Sequence, residues 1–345
     1  MKQSLYGYTL EGLQNLVLSL GLKKYNGEQI LRWLYQSQVK SIDEMTNLSI
    51  NVRQTLNENY EVFLPEIVKK QVSSDGTIKF LLKLSDGNLV ETVLMRYTYG
   101  NAVCVSSQVG CNMGCSFCAS GLLKKVRDLT SAEMVAEVMT VQHELNKTSE
   151  RVSHVVIMGI GEPFDNFKNI KRFISVVTHN KMIAIGQRHL TISTCGLVPK
   201  IYEFADLETG VNLAISLHAP NNEIRDKIMK VNRAYKIEDV MKALDYYIEK
   251  TNRRVTIEYI MLAGINDTDD CARELAKLIK GKLMYVNLIP YNETTHFELK
   301  RSNDFKIKSF YDILKSNNVN VTIRKEMGGN LSAACGQLRA NAQKE

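Results

Sequence analysis

From about residue 100 onward, the sequence alternates between strand-like and helix-like segments, and this alternation constrains the fold more than any other feature. The strand-like runs are short and rich in branched apolar residues: AVCVSS, HVVIMG, HLTIST, NLAISL, VTIEYIM, LMYVNLIP and VNVTIR. Amphipathic helical patterns such as SAEMVAEVMTVQHEL and CARELAKLIK lie between them. Such repetition is typical of parallel strands joined by right-handed crossovers. It predicts an α/β fold with six or seven units in a partial or complete TIM-type barrel, whose functional residues collect at the carboxyl ends of the strands.

Two shorter regions precede this barrel. Residues 1–60 carry short helical patterns, whereas residues 61–98 alternate apolar and polar residues around Asp-Gly pairs at 75–76 and 86–87. The second pattern is typical of a β-hairpin or meander. We therefore predict a small N-terminal helical accessory domain, a short β linker, and a barrel with a catalytic C-terminal loop over residues 99–345.

Composition narrows the class of protein. The chain is 44% apolar and 23% charged, which is ordinary for a globular protein. No apolar run approaches the roughly 18 residues of a membrane helix, and the N-terminus lacks the features of a signal peptide, so we expect a cytoplasmic protein with no membrane contact. The formal charge of +7 fits a polyanionic partner such as RNA. Lys23, Lys24 and Arg32 make the helical region basic, either as an RNA-contacting surface or as ordinary solvated surface.

The seven cysteines are unevenly spaced, and four of them crowd between residues 104 and 118. Cys111, Cys115 and Cys118 have the spacing C-x3-C-x2-C, with which three thiolates can hold three irons of a four-iron cluster and leave the fourth iron open. A zinc site is the main alternative, with Cys104 or a distant cysteine as the fourth ligand. Three unrelated core cysteines are a further alternative, as is a buried structural role for Cys335 near the chain end.

The cysteine spacing, with Phe117 before the last cysteine and the first barrel strand just upstream, resembles the radical S-adenosylmethionine superfamily. The turn MGIGEP after the second barrel strand, with Gly161 and Glu162, is similar to the glycine-rich turn of the same superfamily. The resemblance implies a [4Fe-4S] cluster on Cys111, Cys115 and Cys118. It also implies that S-adenosyl-L-methionine binds at the open iron and is cleaved to a 5′-deoxyadenosyl radical.

Several stretches resemble the RlmN/Cfr family of RNA methyltransferases over nearly the whole chain: KKYNGEQILRWLYQ, SSQVGC, MGIGEPFDN, ISTCGLVP, AISLHAP, NLIPYN and AACGQL. The resemblance implies two S-adenosyl-L-methionine molecules per turnover, with Cys335 as a methyl carrier. It implies that Cys104 later forms a disulfide with Cys335, and that either Glu91 or Cys104 takes the base proton. The positions that match the family's contacts to S-adenosyl-L-methionine are Gly161, Glu162, Ser193, Ser216, Leu217, His218 and Asn292.

Three of these positions also have a simpler interpretation. Without the resemblance, Glu91 is an exposed strand carboxylate, Ser193 is a strand-end hydroxyl that caps a helix, and His218 is a satisfied buried imidazole. Cys271, inside an amphipathic helix, is expected in the core and has no role in the scheme.

The resemblance also implies the substrates and partners. The expected reaction is methylation of carbon 2 of an adenosine in the peptidyl-transferase region of 23S rRNA and of a tRNA anticodon-loop adenosine. The alternatives are Cfr-type methylation at carbon 8 of the same rRNA base and, in a different class, a zinc-stabilised RNA-binding protein without catalysis. The stretches GEP, SLHAP and NLIPYN favour the first. A flavodoxin-type electron donor and a monomeric state complete the expectation.

Overall fold

The computed structural model describes residues 2–293 and 297–328 and begins with a small helical unit. In chain order its elements are β1 (Gln3–Ser4), α1 (Leu10–Ser19), α2 (Tyr25–Arg32), α3 (Ile50–Asn59) and β2 (Tyr60–Glu61). The Thr9 hydroxyl accepts a hydrogen bond from the amide of Gly12 (3.1 Å), which satisfies one free amide of the first turn of α1. A π-helical turn over Trp33–Ser37 continues α2. Because β1 and β2 pair in parallel, the two ends of the unit lie together.

Three antiparallel strands follow: β3 (Glu66–Val72), β4 (Ile78–Lys83) and β5 (Leu89–Tyr97). The turns between them contain Gly76 and Gly87, with φ of +80° and +84°. Glycine adopts this left-handed conformation without the steric penalty of a Cβ. The meander predicted from the two Asp-Gly pairs is therefore confirmed.

The remaining strands belong to the barrel region. They are β6 (Gly100–Val105), β7 (Gln108–Val109), β8 (Arg127–Asp128), β9 (Val152–Ile157), β10 (Leu190–Thr194), β11 (Asn212–Ser216), β12 (Val255–Met261), β13 (Met284–Pro290) and β14 (Val321–Ile323). The main sheet has ten strands in the order β14-β13-β12-β11-β10-β9-β6-β5-β4-β3. Strands β6 and β9 to β14 run parallel, and β5 pairs antiparallel with β6. Strands β7 and β8 pair with each other outside this sheet.

Helices connect the parallel strands. They are α4 (Ser131–Leu145), α5 (Phe167–Thr178), α6 (Val198–Ala205), α7 (Asn222–Ile228), α8 (Ile237–Thr251), α9 (Asp269–Ile279) and α10 (Asp304–Ser316). α4 begins with a reciprocal capping box between Thr130 and Glu133. The patterns did not reveal α6 and α7, because eight and seven residues are too few to establish a helical period.

One continuous apolar core joins the helical unit to the barrel. It includes Leu13 and Leu34 of the N-terminal unit together with Val105, Ile157 and Ile215 of the central strands. Cys271 is buried in α9, which confirms its expected core position. Within residues 2–293 and 297–328, no helix has both the length and the apolar character to cross a membrane.

The predicted fold class is confirmed: an α/β sheet of parallel strands and crossover helices, preceded by a helical unit. Among the described residues the two outer strands of the order, β3 and β14, do not pair with each other, so the barrel is partial. The predicted linker, residues 61–98, shares its sheet with the barrel through β5 and β6. Its boundaries as a separate domain stay a prediction.

Candidate active site

The carboxyl ends of the parallel strands surround a cavity of about 340 Å³. The following predicted site residues line it: Cys104, Cys111, Cys115, Cys118, Gly161, Glu162, Ser193, Ser216, His218 and Asn292. They come from separate loops and strands along almost two hundred residues of sequence. They meet because parallel strands direct their carboxyl ends to the same side of a barrel.

The three cysteines of the C-x3-C-x2-C motif lie on the loop between β7 and β8. Gly110, just before this loop, has φ of +83°, and a Cβ there would lie 2.2 Å from the carbonyl oxygen of Lys124. Only glycine therefore lets the two sides of the loop approach each other. The amide of Cys118 donates to the carbonyl of Cys115 (3.3 Å), so the loop turns back and presents its thiols to the cavity.

Burial controls the protonation of these thiols. It raises the pKa of Cys111 to about 12 and raises the pKa of Cys115 far above its usual range. The neighbouring thiol of Cys118 and the carboxylate of Glu162 raise both pKa values further. Because the thiolate is the form that binds metal, a bound cation would release these protons.

The donor set fits an iron–sulfur cluster, since three soft sulfur ligands on one loop are its usual anchors. Within the part of the chain that the structure describes, no group of three or more His, Cys, Asp or Glu side chains is placed to hold a metal ion together. In a cluster each thiolate binds its own iron, so the separation of the three thiols is compatible with that group. A tetrahedral zinc site would require its ligands to converge on one point.

The turn after β9 is built around Gly161. This residue has φ of +111°, and a Cβ there would lie 2.6 Å from the Cβ of Gln108. The side chain of Gln108 accepts a hydrogen bond from the amide of Glu162 (2.9 Å) and so holds the turn against β7. The absence of a side chain at position 161 thus lets the turn pack closely against Ser107 and Gln108 while it lines the cavity.

Glu162 is almost fully buried, at 3% exposure, and its carboxylate accepts three hydrogen bonds. The donors are the amide of Phe164 (2.9 Å), the hydroxyl of Thr194 (2.6 Å) and the amide of Cys195 (2.8 Å). Burial raises the pKa of Glu162, and these donors oppose the rise. Since both oxygens already bind protein donors, the side chain of Glu162 links the ends of β9 and β10 and shapes the cavity wall.

Three polar side chains can bind a polar ligand in the cavity. Ser193 lies on β10 and Ser216 ends the neighbouring β11, with their hydroxyl oxygens 3.4 Å apart. Asn292 follows β13 and remains exposed at the rim. Hydroxyl and amide groups at strand ends are typical partners for the polar groups of a bound cofactor.

His218 presents a neutral imidazole to the same cavity. Its Nδ1 accepts a hydrogen bond from the amide of Ile260 (3.1 Å), which leaves the ring proton on Nε2. Burial, together with the positive charge of Arg225, lowers the pKa of His218 to about 3. The ring of Phe117, in the cysteine loop, packs edge-on against it with centroids 4.9 Å apart. His218 is therefore a buried imidazole with a hydrogen-bond partner, and it also lines the cavity.

Leu217 and Glu91 do not line this cavity. The side chain of Leu217 is fully buried in the apolar core. Glu91, on β5, is 3% exposed and its carboxylate lies 3.2 Å from the ammonium group of Lys79, so the alternative of an exposed strand carboxylate is wrong. Val93, two residues farther along the same strand face, pairs with Cys104 and does line the cavity.

Cys104 lies on β6, and its side chain packs in a small cluster with Met95, Ala102 and Met327. Residues 324–327 follow β14 and line the cavity, and the amide of Gly328 donates to the carboxylate of Asp75 (2.8 Å). Residue 335 lies outside the described residues.

Sequence reasoning missed two residues that hold this site together. Thr194 donates to Glu162, as described above. Arg225, on α7, is fully buried and donates to the carbonyls of Cys195 (2.7 Å) and Leu217 (3.2 Å), so it ties the ends of β10 and β11. An isolated arginine in a short polar segment normally predicts exposed surface. No signal in the sequence marks its burial.

Comparison with known proteins agrees with this geometry. Residues 105–279 match the radical SAM superfamily, and residues 3–62 match the N-terminal domain of a ribosomal RNA large subunit methyltransferase. The probable dual-specificity RNA methyltransferase RlmN of Enterococcus faecalis is 54% identical, over 100% of this chain and 98% of its own length. The protein of the same description from Spiroplasma citri is also 54% identical, over 98% of this chain and 97% of its own length.

A solved structure is similar over nearly the whole chain. The crystal structure of a radical SAM methyltransferase from Sphaerobacter thermophilus superposes with a TM-score of 0.94 at 39% identity. The match covers 98% of this chain and 99% of that one. The helical unit, the antiparallel strands and the barrel therefore recur together in a relative.

Proposed function

Because this chain belongs to the RlmN family of radical S-adenosylmethionine RNA methyltransferases, we propose that it methylates carbon 2 of adenosine in two RNAs. The substrates are an adenosine in the peptidyl-transferase region of 23S rRNA and a tRNA anticodon-loop adenosine. The observation that carries the proposal is the single cavity that joins the C-x3-C-x2-C thiols, the turn at Gly161 and Glu162, and Cys104.

The cofactors follow from the family and from the lining of the cavity. When bound, the [4Fe-4S] cluster and two molecules of S-adenosyl-L-methionine per turnover supply the methyl group and a 5′-deoxyadenosyl radical. Cys111, Cys115 and Cys118 would hold the cluster. Backbone at Gly161 and Glu162 and the polar groups of Ser193, Ser216, His218 and Asn292 would bind S-adenosyl-L-methionine, whereas Leu217 would contribute only backbone.

Cys335 would carry the methyl group to the RNA. Carbon 2 of adenine is electron-poor and does not attack a methyl group, so the carbon must arrive as a radical on the S-methyl group of Cys335. Its addition joins protein and RNA through a sulfur–carbon–adenine link. Release would require loss of the base proton and cleavage of the carbon–sulfur bond, as the sulfur of Cys335 bonds to the thiolate sulfur of Cys104. The freed methylene carbon would take up a proton to become the methyl group, and the disulfide would give up one electron to the redox partner of the enzyme.

Two residues are candidates for removing the proton from the methylated carbon of the base. Cys104 lines the cavity, whereas Glu91 lies outside it beside the ammonium group of Lys79. A general base must lie within hydrogen-bond reach of the proton that it removes. We therefore assign removal of the base proton to Cys104 and a supporting electrostatic role to Glu91.

The partners are proposed on similar grounds. Residues 3–62 match a domain of ribosomal RNA methyltransferases, and this unit exposes Lys23, Lys24 and Arg32. Phosphate contacts there would position the RNA, while an unstacked adenine enters the barrel cavity. A flavodoxin-type donor would supply electrons to a monomeric enzyme in the cytoplasm.

Nucleoside mass spectrometry tests the reaction. Protein reconstituted anaerobically with iron and sulfide is incubated with S-adenosyl-L-methionine, a reductant and an unmodified 23S rRNA fragment or tRNA. We expect 2-methyladenosine in both RNAs. Formation of 8-methyladenosine would establish the Cfr-type alternative. A colourless protein with stoichiometric zinc and no product would establish the non-catalytic one.

The Cys104→Ala variant tests the resolving step. We expect it to accumulate a covalent protein–RNA adduct on denaturing gels, because the carbon–sulfur bond to Cys335 can no longer be exchanged for a disulfide. The matched control is Cys271→Ala, which removes a buried thiol from α9 and should give no adduct. Absence of an adduct from Cys104→Ala, with the wild type active, contradicts the assignment.

A further inference from the structure

Arg225 carries a positive charge in the interior of the protein. Its side chain is fully buried, and every hydrogen-bond acceptor around it is neutral. The guanidinium donates to the side-chain oxygen of Asn232 (3.0 Å) and to the carbonyls of Cys195 (2.7 Å), Leu217 (3.2 Å) and Tyr235 (3.3 Å). With a further bond to the carbonyl of Ser216 (3.5 Å), these bonds satisfy the donors of the group, but neutral acceptors do not provide an ion pair for its charge.

The nearest carboxylate in sequence, that of Asp226, favours the charge of Arg225 from a distance but forms no ion pair with it. The carboxylate of Asp226 accepts hydrogen bonds from the ammonium group of Lys236 (3.0 Å) and from the side-chain amide of Asn232 (2.8 Å). Among the described residues, no carboxylate oxygen lies within 4.0 Å of the Arg225 guanidinium nitrogens. An unpaired buried charge is strongly unfavourable, so such a group normally faces a counter-charge.

The cysteine loop is connected to Arg225 through Cys195 and through α7. Arg225 binds the carbonyl of Cys195, whose side chain packs in one apolar cluster with Cys115 and Phe117. The amide of Ser116, next to Cys115 in the cysteine loop, donates to the carbonyl of Ile228 in α7 (3.0 Å), so the helix that carries Arg225 is bonded directly to the loop. The thiol of Cys115 becomes an anionic thiolate when it binds iron.

We propose that the buried guanidinium of Arg225 is the counter-charge of the iron–sulfur cluster and raises its reduction potential. The inference rests on the cluster of the proposed function. A [4Fe-4S] core with three thiolates has a formal net negative charge, and accepting one electron makes it more negative. A fixed cation in a medium of low dielectric constant stabilises the reduced form more than the oxidised form.

The hydrogen bonds of Arg225 add a positioning role. They fix the carbonyls at the ends of β10 and β11, next to Ser193 and Ser216. A purely structural role would require these bonds but not the charge. The reduction potential of the cluster separates the two roles, because it depends on the charge of residue 225 and not on the stability of the fold.

The test is an anaerobic redox titration of the reconstituted protein, with the reduced cluster followed by electron paramagnetic resonance. In Arg225→Gln we expect the ratio of reduced to oxidised cluster at the wild-type midpoint to fall about tenfold, a shift of about 59 mV to lower potential. Arg225→Lys, which keeps the charge, should stay close to the wild type. Equal potentials in Arg225→Gln and the wild type would overturn the proposal.

Arg253→Gln is the matched control. Arg253 also donates to an asparagine oxygen, that of Asn212 (2.6 Å), but at the opposite end of β11 from Ser216. Its loss removes the same formal charge far from the cysteine loop, and the potential should not change. A drop equal to that of Arg225→Gln would mean that net charge, and not the place of Arg225, sets the potential.

A second variant covers the case in which Arg225→Gln does not fold or takes up no iron. Asn232→Asp combined with Asp226→Asn exchanges a carboxylate and an amide, which keeps the net charge and the bond between the two side chains. It also puts an anion at the position 3.0 Å from the guanidinium of Arg225. We expect the potential to fall as in Arg225→Gln, and an unchanged potential would refute the inference.

Iron and labile sulfide in the wild type separate this inference from the function on which it rests. A wild type without a cluster would contradict both. A cluster whose potential is unchanged in both Arg225→Gln and the double variant Asn232→Asp, Asp226→Asn would contradict the counter-charge alone.

Discussion

The neutral imidazole of His218 gives the protein a specific dependence of stability on pH. Burial and the charge of Arg225 lower its pKa to about 3 in the folded protein, whereas a histidine in an unfolded chain has a pKa of about 6.5. As the pH falls below 6.5, the unfolded chain takes up a proton that the folded protein does not. The folded state therefore loses stability as the pH decreases through this window.

The size of the effect follows from the two pKa values. One bound proton changes the free energy of unfolding by about 1.4 kcal/mol per pH unit, so between pH 6.5 and pH 4.5 His218 removes about 2.7 kcal/mol. Removing the imidazole should abolish this part of the slope. His218→Asn is the suitable change, because asparagine tolerates the φ of +58° at this position and its side-chain oxygen can accept the amide of Ile260.

Urea unfolding followed by circular dichroism, at pH 7.5, 6.5, 5.5 and 4.5 on iron-free reduced protein, measures the difference. We expect the wild type to be the more stable protein at pH 7.5 and its advantage to shrink by about 2.7 kcal/mol at pH 4.5. Buried carboxylates titrate in both proteins and cancel in the comparison. His179→Asn, which removes an imidazole outside the cavity, is the control. An advantage that stays constant across the four pH values would refute the argument.

Three further changes test other parts of the structure. Glu162→Gln should lower the free energy of unfolding by about 1–3 kcal/mol, since one buried amide donor would face an NH2 group; urea unfolding measures this, and an equal stability would contradict it. Gly161→Ala should cost roughly 2–5 kcal/mol and weaken S-adenosyl-L-methionine binding, because its Cβ would meet another Cβ at 2.6 Å; wild-type affinity by equilibrium dialysis would argue against a role for this turn. Charge reversal at Lys23, Lys24 and Arg32 together should weaken RNA binding in a filter assay but leave cofactor cleavage unchanged, and unchanged RNA affinity would exclude this surface.

The fold was largely predictable because its determinants are local. VTIEYIM predicts a strand over residues 255–261, and SAEMVAEVMTVQHEL predicts a helix over residues 131–145; the structure has both with these bounds. The short α7, Asn222–Ile228, escaped because too few turns exist for a pattern to repeat. A helix can therefore be predicted from its apolar pattern only where it is long enough for that pattern to repeat.

For the candidate active site, too, local features were predictable and contacts between distant segments were not. Sequence alone determined the cysteine loop and the turn at Gly161, because both depend on residue types at fixed spacing along a few positions. Only the tertiary structure decided that the carboxylate of Glu162 is fully engaged by protein donors and that Glu91 lies beside Lys79 outside the cavity. It also decided that Arg225 is fully buried and that its hydrogen-bond acceptors among the described residues are neutral. These facts depend on which segments meet in space and on how much water they exclude. Burial and charge pairing between distant segments are properties of the packed chain, and no stretch of sequence encodes them by itself.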